Sequence, residues 1–242
     1  MIQIIQIRMS TRCYNLKLSA VIPVYNSRKI IFGTYESVKK EFEKITDDYE
    51  ILFRNDGSTD NSEEVLKKIV KNDKKVQFFS NSNRGLGYVL RKLFKSASGD
   101  YIIYFDADAY LSFNLSILSD LLKNMNDFDV IIASRYKKGK IPLSRLIPSL
   151  AYRVINKLLF RINIEDAGSG FVLFKKKVFD EIELISNGFD IHMELFTKIK
   201  KRRFKIIEIP VSYSHWEGGS FKILKHGPTT LIETLKLWWR EI

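Results

Sequence analysis

The alternation of short apolar runs with amphipathic segments constrains the fold of this 242-residue sequence more than any other feature. The first run, Leu18 to Tyr25 (LSAVIPVY), is apolar at almost every position, as expected for a strand that is buried on both faces. Similar runs follow at residues 50–54, 76–79, 101–105 and 129–133, and a helical pattern separates each run from the next. Repeated strand–helix units predict an α/β fold with a mostly parallel central sheet and helices on both faces.

The pattern changes after residue 134, but no linker rich in Pro, Gly or Ser interrupts the chain. Helices are predicted at residues 144–160, 177–185, 191–201 and 229–242, and strands at residues 171–174 and 205–213. We therefore expect one domain over residues 17–226 and an amphipathic C-terminal helix over residues 227–242. Residues 1–16 are set apart as an N-terminal extension. Asn26 or Ser27 is expected to cap the first helix.

The chain carries 40 Lys and Arg residues against 28 Asp and Glu residues, which gives a formal net charge of +12. This excess favours anionic partners: nucleic acid, phosphorylated metabolites or an acidic membrane surface. The single cysteine, Cys13, cannot form an internal disulfide, so a reducing, intracellular compartment is expected. The histidines are too scattered for a Cys/His metal site, and His192 and His215 are expected to be structural or to lie at the edge of a cleft. No apolar run approaches the ~20 residues that a membrane-spanning helix needs.

Two carboxylates, Asp106 and Asp108, follow the apolar run at residues 101–105. Spaced two residues apart where a strand ends, both can turn toward one hard divalent cation, and Mg²⁺ or Mn²⁺ takes oxygen ligands from carboxylates and phosphates. The alternative is a pair of turn-forming aspartates that caps the next helix. The pair alone leaves both interpretations open.

Two polar loops after earlier strands favour the metal interpretation. They are Asn55-Asp56-Gly57-Ser58 and Arg84-Gly85-Leu86-Gly87. Because the carboxyl ends of parallel strands meet at one edge of a sheet, these loops should open into the same cleft as Asp106. The glycine-rich loop lacks the third glycine of the dinucleotide fingerprint and follows the third strand, which argues against a dehydrogenase.

Six short segments together carry a resemblance to a known family. They are VIPVYN at residues 21–26, NDGSTD at 55–60, RGLG at 84–87, DAD at 106–108, ASRY at 133–136 and SGF at 169–171. In this order and spacing, over roughly residues 18–224, the chain resembles family 2 glycosyltransferases, most of all the dolichyl-phosphate (polyprenyl-phosphate) sugar transferases. The resemblance implies a GT-A-type, Rossmann-like nucleotide-binding fold. It also implies inverting transfer of a sugar from GDP-mannose or a UDP-sugar to a polyprenyl or dolichyl phosphate.

The resemblance further implies a role for each matching residue. The nucleotide-binding residues would be Pro23, Tyr25, Asn26, Asp56, Arg84, Gly85 and Asp106. Asp106 and Asp108 would hold Mg²⁺ or Mn²⁺, and Asp108, Arg135 and Glu194 would be catalytic. The acceptor-side residues would be Asp166, Ser169, Gly170 and Lys222.

Three departures from the family pattern accompany these matches. The usual Asp-Asp-Gly-Ser begins here with Asn55, and Tyr110 replaces a Gln that helps to bind metal in the lipid-linked mannosyl enzymes. The basic residue that often follows Ser-Gly-Phe is Val172 here. Base recognition through Asp56 is expected to survive, whereas Tyr110 bears on metal affinity or sugar specificity.

Two amphipathic helices bear on where the protein works. Arg145, Arg153, Lys157 and Arg161 lie near one stripe, which is either a solvated basic face or a contact with lipid phosphates. The C-terminal helix has an apolar face of Leu231, Leu235, Trp238 and Ile242, joined by Ile232 and Trp239, with Lys236 and Arg240 on the polar side. This face suits a membrane interface, the protein's own core or a partner subunit. We expect a cytoplasmic enzyme bound peripherally to the inner face of the cell membrane, with its oligomeric state open.

Two alternatives remain at this stage. A family 2 enzyme that transfers to a sugar hydroxyl needs a general base, which Glu194 or Asp190 would have to supply. A non-catalytic, basic nucleic-acid-binding module would use the excess of Lys and Arg, but the clustered aspartates would repel a phosphate backbone, so no nucleic-acid partner is expected.

Overall fold

A seven-stranded mixed sheet lies at the centre of the computed structural model, which describes residues 16–136, 139–140, 143–216, 218 and 223–241. The strands are β1 (Leu18–Val24), β2 (Tyr49–Asp56), β3 (Val76–Asn81), β4 (Tyr101–Phe105), β5 (Val130–Ser134), β6 (Gly139–Lys140), β7 (Phe171–Lys175), β8 (Ile206–Pro210) and β9 (Tyr213–Ser214). The helices are α1 (Ile31–Glu43), α2 (Ser62–Asn72), α3 (Leu86–Ser96), α4 (Ala109–Ser112), α5 (Leu118–Lys123), α6 (Leu143–Phe160), α7 (Lys177–Glu181), α8 (Ile191–Lys201) and α9 (Ile223–Glu241).

The strand order in the sheet is β3-β2-β1-β4-β7-β5-β8. β7 runs antiparallel to both of its neighbours, and the other pairs in the sheet are parallel. β6 and β9 form a separate two-stranded parallel pair. Because β7 is reversed, its first residues lie at the sheet edge where β4 and β5 end. The predicted fold class, a mostly parallel sheet with helices on both faces, is confirmed.

The strands are apolar throughout because both faces of the sheet are covered. Ile22 and Phe53 face α1 and α2 on one side, whereas Val21 and Leu52 face α3 on the other. Full burial of each such side chain stabilises the fold by roughly 1.5–3 kcal/mol. The sheet is therefore a rigid support for the loops at its edge.

Several predicted boundaries are wrong. The helical segment expected between the strands at residues 101–105 and 129–133 is broken into α4, α5 and two 3₁₀ turns, Leu115–Ile117 and Asn124–Asn126. The helix predicted at residues 177–185 ends with α7 at Glu181. The last predicted strand stops at Pro210, and α9 begins at Ile223 rather than at residue 229. Asn26 and Ser27 do not cap α1, which begins after Ile30 without a side-chain cap.

No helix in the described part of the chain combines the length and the apolar character needed to cross a bilayer. Residues 1–15, which include Cys13, lie outside the described residues.

Candidate active site

The carboxyl ends of β1, β2, β3, β4 and β5 open into a cavity of about 1100 Å³. The predicted site residues that line it are Pro23, Tyr25, Asn26, Asp56, Gly85, Asp106, Asp108, Arg135 and Asp166. Those that do not line it are Arg84, Ser169, Gly170 and Glu194, and Lys222 lies outside the described residues. Loops after these five strands thus meet in one space.

Asp106 and Asp108 lie where β4 gives way to α4. The Tyr104 hydroxyl donates a hydrogen bond to Asp106 Oδ1, and the Ser112 hydroxyl lies 3.3 Å from Asp108 Oδ2. Burial raises the pKa of both carboxyls, and the charge of Asp106 helps to raise the pKa of Asp108 to about 6. Two half-buried carboxylates that repel each other are stabilised by a cation.

This donor set fits a hard divalent cation. Mg²⁺ is commonly held by only one or two protein carboxylates, with water and substrate phosphate oxygens as the other ligands. Tyr110 packs against Gly33 of α1 so closely that an added Cβ on this glycine would lie 2.5 Å from Tyr110 Cζ. Its side chain is therefore used in packing instead of adding a ligand. The described residues hold no cluster of three or more His, Cys, Asp or Glu side chains that could bind a metal. The aspartate pair is therefore the set that a cation would use.

Gly170 fixes the position of Asp106. The Asp106 backbone N–H donates to Gly170 O at 2.8 Å. A Cβ on Gly170 would lie 2.1 Å from Asp106 Oδ2, so only glycine allows this approach. Ser169 Oγ donates to Ala133 O at 2.7 Å, which ties the start of β7 to the end of β5. Both residues support the site from behind the cavity wall.

Arg135 is held by a buried carboxylate. Its Nε lies 3.0 Å and its Nη2 lies 2.5 Å from oxygens of Asp166, and Nη2 also donates to Gly168 O at 2.9 Å. The backbone N–H of Arg135 donates to Asp166 as well, at 2.8 Å. Glu208 in turn accepts from the Asp166 backbone N–H at 2.8 Å. The guanidinium is therefore fixed at the cavity wall with its Nη1 edge unused by any acceptor in the described chain.

Asp56 organises the loop at residues 84–87, which we call the donor-side loop. Its carboxylate accepts hydrogen bonds from the backbone N–H groups of Arg84 at 2.8 Å and Gly85 at 2.9 Å, and from Asn81 Nδ2 at 2.6 Å. The side chain is 6% exposed and lines the cavity. The side chain that was predicted to contact the nucleotide base therefore also holds the loop beside it.

The change from Asp to Asn at position 55 has a local explanation. Asn55 Nδ2 donates to Glu63 Oε2 at 3.2 Å, and its Oδ1 accepts from the Ser58 hydroxyl at 2.5 Å. An aspartate here would place a second negative charge beside Glu63. In the neighbouring loop, Asn26 Oδ1 accepts from the Thr59 backbone N–H at 2.8 Å, which joins the loops after β1 and β2.

The structure does not place Glu194 where a catalytic carboxylate would act. Glu194 is fully buried, accepts from the backbone N–H groups of Ile185 at 2.9 Å and Ser186 at 2.7 Å, and pairs with Lys198 at 2.6 Å. These contacts hold the pKa of Glu194 below its usual value despite the opposing effect of burial. Sequence reasoning assigned a catalytic role because an acidic residue on a late helix matched the family pattern.

Glu194 instead acts on the donor-side loop through residues 185–187. Asn187 O accepts from the Gly87 backbone N–H at 2.8 Å. A Cβ on Gly85 would lie 2.4 Å from Asn187 O, and a Cβ on Gly87 would lie 2.5 Å from Ser186 O. The two glycines let the segment fixed by Glu194 pack directly against the loop held by Asp56.

Several lining residues have no counterpart among the predicted site residues. Tyr104, Tyr152, Arg153, His192, Tyr213 and Trp216 all line the cavity. The pKa of His192 is lowered to about 4 by burial and by the nearby Arg135, so its imidazole is neutral at pH 7. Arg153 lies 5.3 Å from the Tyr136 ring centre. The sequence placed His192 only as a structural or cleft-edge residue and Arg153 only on a basic stripe. It gave no signal that the four aromatic residues would face the cavity.

A GT-A architecture with an acidic pair at the edge of the sheet defines a class of nucleotide-sugar-binding proteins. The chain belongs to glycosyl transferase family 2, whose family model matches residues 19–183. It is 31% identical over 71% of its length to the putative glycosyltransferase CsbB of Bacillus subtilis, and 29% identical over 86% of its length to the dolichol-phosphate mannosyltransferase of Pyrococcus furiosus. It spans 52% and 59% of the length of these two relatives.

Solved structures share the fold. The mannosyltransferase PcManGT from Pyrobaculum calidifontis, in complex with GDP-Man and Mn²⁺, matches 94% of this chain and 65% of its own with a TM-score of 0.68 at 15% identity. Glucosyl-3-phosphoglycerate synthase from Mycobacterium tuberculosis, in complex with Mn²⁺, UDP-Glc and phosphoglyceric acid, matches 94% of this chain and 80% of its own, also with a TM-score of 0.68 at 15% identity.

The aspartate pair leads to a prediction about stability. In metal-free protein at pH 8, Asp108→Asn should raise the melting temperature by on the order of a few degrees, because it removes a buried charge beside Asp106. The gain should shrink toward pH 4, since a carboxyl whose folded pKa is raised to about 6 costs the fold only when ionised. Mn²⁺ should raise the melting temperature of the wild type but not of the variant.

The measurement is thermal unfolding in EDTA and in Mn²⁺, with the exposed Asp127→Asn as the control for loss of one negative charge. A variant that melts below the wild type at pH 8 would show that Asp108 has a structural role instead.

Glu194→Gln leads to a second prediction. Its amide nitrogen cannot accept from the 185–186 backbone, so the variant should raise the KM for the donor several-fold and leave kcat at saturating donor little changed. Glu50→Gln is the matched control, because Glu50 is also buried and accepts from the Ser98 backbone N–H at 2.7 Å, near the opposite edge of the sheet. It should lower the melting temperature without changing the KM. A fall in kcat with an unchanged KM would restore Glu194 to the chemistry.

Proposed function

We propose that the protein is an inverting glycosyltransferase that moves a sugar from GDP-mannose or a UDP-sugar to a polyprenyl or dolichyl phosphate. The observation that carries the proposal is the meeting of the donor-side loop, the Asp106–Asp108 pair and Arg135 in one cavity. The relative from P. furiosus supports the acceptor class. The neighbours with GDP-Man or UDP-Glc support the donor class.

The lining residues have complementary roles in this reaction. Asp106 and Asp108 would hold Mg²⁺ or Mn²⁺, which when bound supplies positive charge to the leaving diphosphate. Arg135, fixed by Asp166, offers its Nη1 edge to a phosphate oxygen. A single in-line displacement breaks the bond between the anomeric carbon and the donor phosphate oxygen and joins that carbon to an acceptor phosphate oxygen. This step inverts the configuration.

The surroundings of the cavity favour a phosphate acceptor over a sugar hydroxyl. A lipid phosphate is anionic at neutral pH and attacks without a general base, whereas a hydroxyl needs one. Neither carboxylate first considered as that base lines the cavity: Glu194 is sealed behind the donor-side loop, and Asp190 lies at the start of α8. Hydroxyl transfer would have to use another group that lines the cavity, such as Glu165, His192, His215 or His226.

The outer surfaces of α6 and α9 support contact with a membrane. Their inner sides are polar: Tyr152 OH lies 2.8 Å from Thr234 Oγ1, and both Asn156 and Thr230 are buried. Exposed apolar side chains lie on the outer sides, namely Ile147, Val154 and Leu158 on α6 and Leu231, Ile232, Leu235 and Trp239 on α9. This reverses the usual pattern of a surface helix and suits insertion into the interface of a bilayer.

Most of the apolar face predicted for α9 is exposed, and Trp238 departs from it. Leu237 is buried and Trp238 is half-buried, whereas Ile232 and Trp239 are exposed, Trp239 to 80%. Leu231 and Leu235 do belong to the exposed face, and the side chain of Ile242 lies outside the described residues.

The proposed function is tested by incubating the protein with Mn²⁺, a panel of UDP- and GDP-sugars and either polyprenyl phosphate or a free oligosaccharide. Release of nucleoside diphosphate and glycosylation of each acceptor are measured. We expect transfer to polyprenyl phosphate, with kcat changed less than about tenfold by Glu165→Gln, His192→Gln, His215→Gln or His226→Gln, because loss of a general base costs about 10²- to 10⁴-fold. Preference for the oligosaccharide together with a hundredfold loss in any one of these variants would establish hydroxyl transfer.

The membrane contact is tested with the double variant Leu158→Ala/Trp239→Ala. It should release the protein from anionic liposomes and depress transfer to long-chain acceptors more than to short, soluble ones, because interfacial burial of these side chains is lost. The control is Phe32→Ala, which removes an exposed aromatic side chain from α1. Binding of the double variant to liposomes at the wild-type level would mean that another surface meets the acceptor.

A further inference from the structure

Four basic side chains surround the ring of Tyr88 in α3. The guanidinium carbons of Arg54, Arg84 and Arg91 lie 5.9, 5.1 and 5.9 Å from the ring centre, and Lys92 Nζ lies 5.8 Å from it. None of the four side chains lines the cavity described above. We call these four residues and Tyr88 the Tyr88 cluster. Arg84, predicted as a nucleotide-binding residue, thus directs its side chain to this cluster.

The positive charge of the Tyr88 cluster is not balanced by the protein. None of its four cations takes part in the ion pairs found among the described residues. Arg91 donates only to neutral acceptors, Leu184 O at 3.3 Å and Asn187 Oδ1 at 2.6 Å. Like charges held near one ring repel each other, and cation–π attraction to Tyr88 offsets this only in part.

Two donors inside the Tyr88 cluster also lack an acceptor. The Nε–H groups of Arg54 and Arg91 are buried and donate to no acceptor within the described chain. A buried N–H without an acceptor is costly, and the cost is larger for a charged group. Guanidinium groups pair with phosphate oxygens through two parallel hydrogen bonds, so one anion can satisfy both the charge and the unused donors.

We propose that the Tyr88 cluster is a second anion site, which binds a phosphate group separately from the donor cavity. The phosphate can belong to a soluble phosphorylated compound or to a phospholipid headgroup. The cluster adjoins α9 through residues 187 and 188. Arg91 donates to Asn187 Oδ1, and Gly188 packs so closely against α9 that an added Cβ would lie 2.1 Å from Glu233 Oε2. The site is thus near the helix whose outer face is apolar.

The test is calorimetric titration with inorganic pyrophosphate at low salt in EDTA, in the absence of any sugar nucleotide. The variant is Arg54→Gln/Lys92→Gln, and the matched control is Lys68→Gln/Lys95→Gln, which removes the same charge from exposed positions on α2 and α3 outside the cluster. Wild type and control should bind with similar affinity, and the cluster variant at least tenfold more weakly. The variant Arg54→Lys/Lys92→Gln, which keeps a positive charge at position 54, should recover part of the loss. Melting temperatures confirm that each variant is folded.

A second arm separates the two sources of the phosphate. Flotation with vesicles of neutral phospholipid, with and without phosphatidylglycerol, is compared for the same variants. A loss of binding to anionic vesicles that is specific to the cluster variant supports a headgroup, whereas a loss restricted to pyrophosphate supports a soluble ligand. If the cluster variant matches the control in both arms, the proposal is overturned. Neither arm depends on sugar transfer, so the result is independent of the proposed reaction.

Discussion

The site depends on one close approach between neighbouring antiparallel strands. The Asp106 N–H to Gly170 O bond, 2.8 Å long, fastens the end of β4 to the start of β7, and the absence of a side chain on Gly170 leaves the space that the Asp106 carboxylate occupies. Had β7 been parallel, its first residues would lie at the opposite edge of the sheet. The reversed strand therefore brings Ser169 and the Asp166 loop beside the aspartate pair, and with them the partner that fixes Arg135.

Charge is distributed unevenly around the cavity, and this unevenness suits its proposed ligands. Arg135 is neutralised by Asp166, so its guanidinium serves as an oriented donor more than as a free cation. In the part of the chain that the structure describes, no cation forms an ion pair with Asp106 or Asp108, and burial raises the pKa of both carboxyls. A cation bound together with an anionic diphosphate would supply positive charge to the aspartate pair and an acceptor to Arg135. Buried groups that the protein leaves unsatisfied in this way commonly mark a functional site, at a cost in stability.

The sequence was sufficient for the fold class and for the loops that meet in the cavity, because both follow from where apolar strands end. It was insufficient where a residue's role depends on long-range contacts. Glu194 matched a family position, yet its carboxylate accepts from the backbone N–H groups of residues 185–186, and no spacing rule reveals these donors. Asp56 was predicted to bind the nucleotide, and nothing in the sequence indicated the three donors that its carboxylate accepts from. β8 ends at Pro210 because its pairing with β5 ends at Ser134, which the sequence of residues 205–213 does not show.

Most of the apolar face predicted for α9 is exposed, because the inner side of the helix is partly polar. Thr230 and Thr234 lie on the inner side, where their hydroxyls donate to His226 O at 2.8 Å and Thr230 O at 2.7 Å on the preceding turn. Polar groups satisfied within their own helix can be buried at little cost, which frees Ile232, Leu235 and Trp239 to face outward. Such a surface is unfavourable in water, and α6 extends it with Val154 and Leu158. The same two helices line the cavity with their inner sides, so whatever covers their apolar surface also lies beside the entrance to the site.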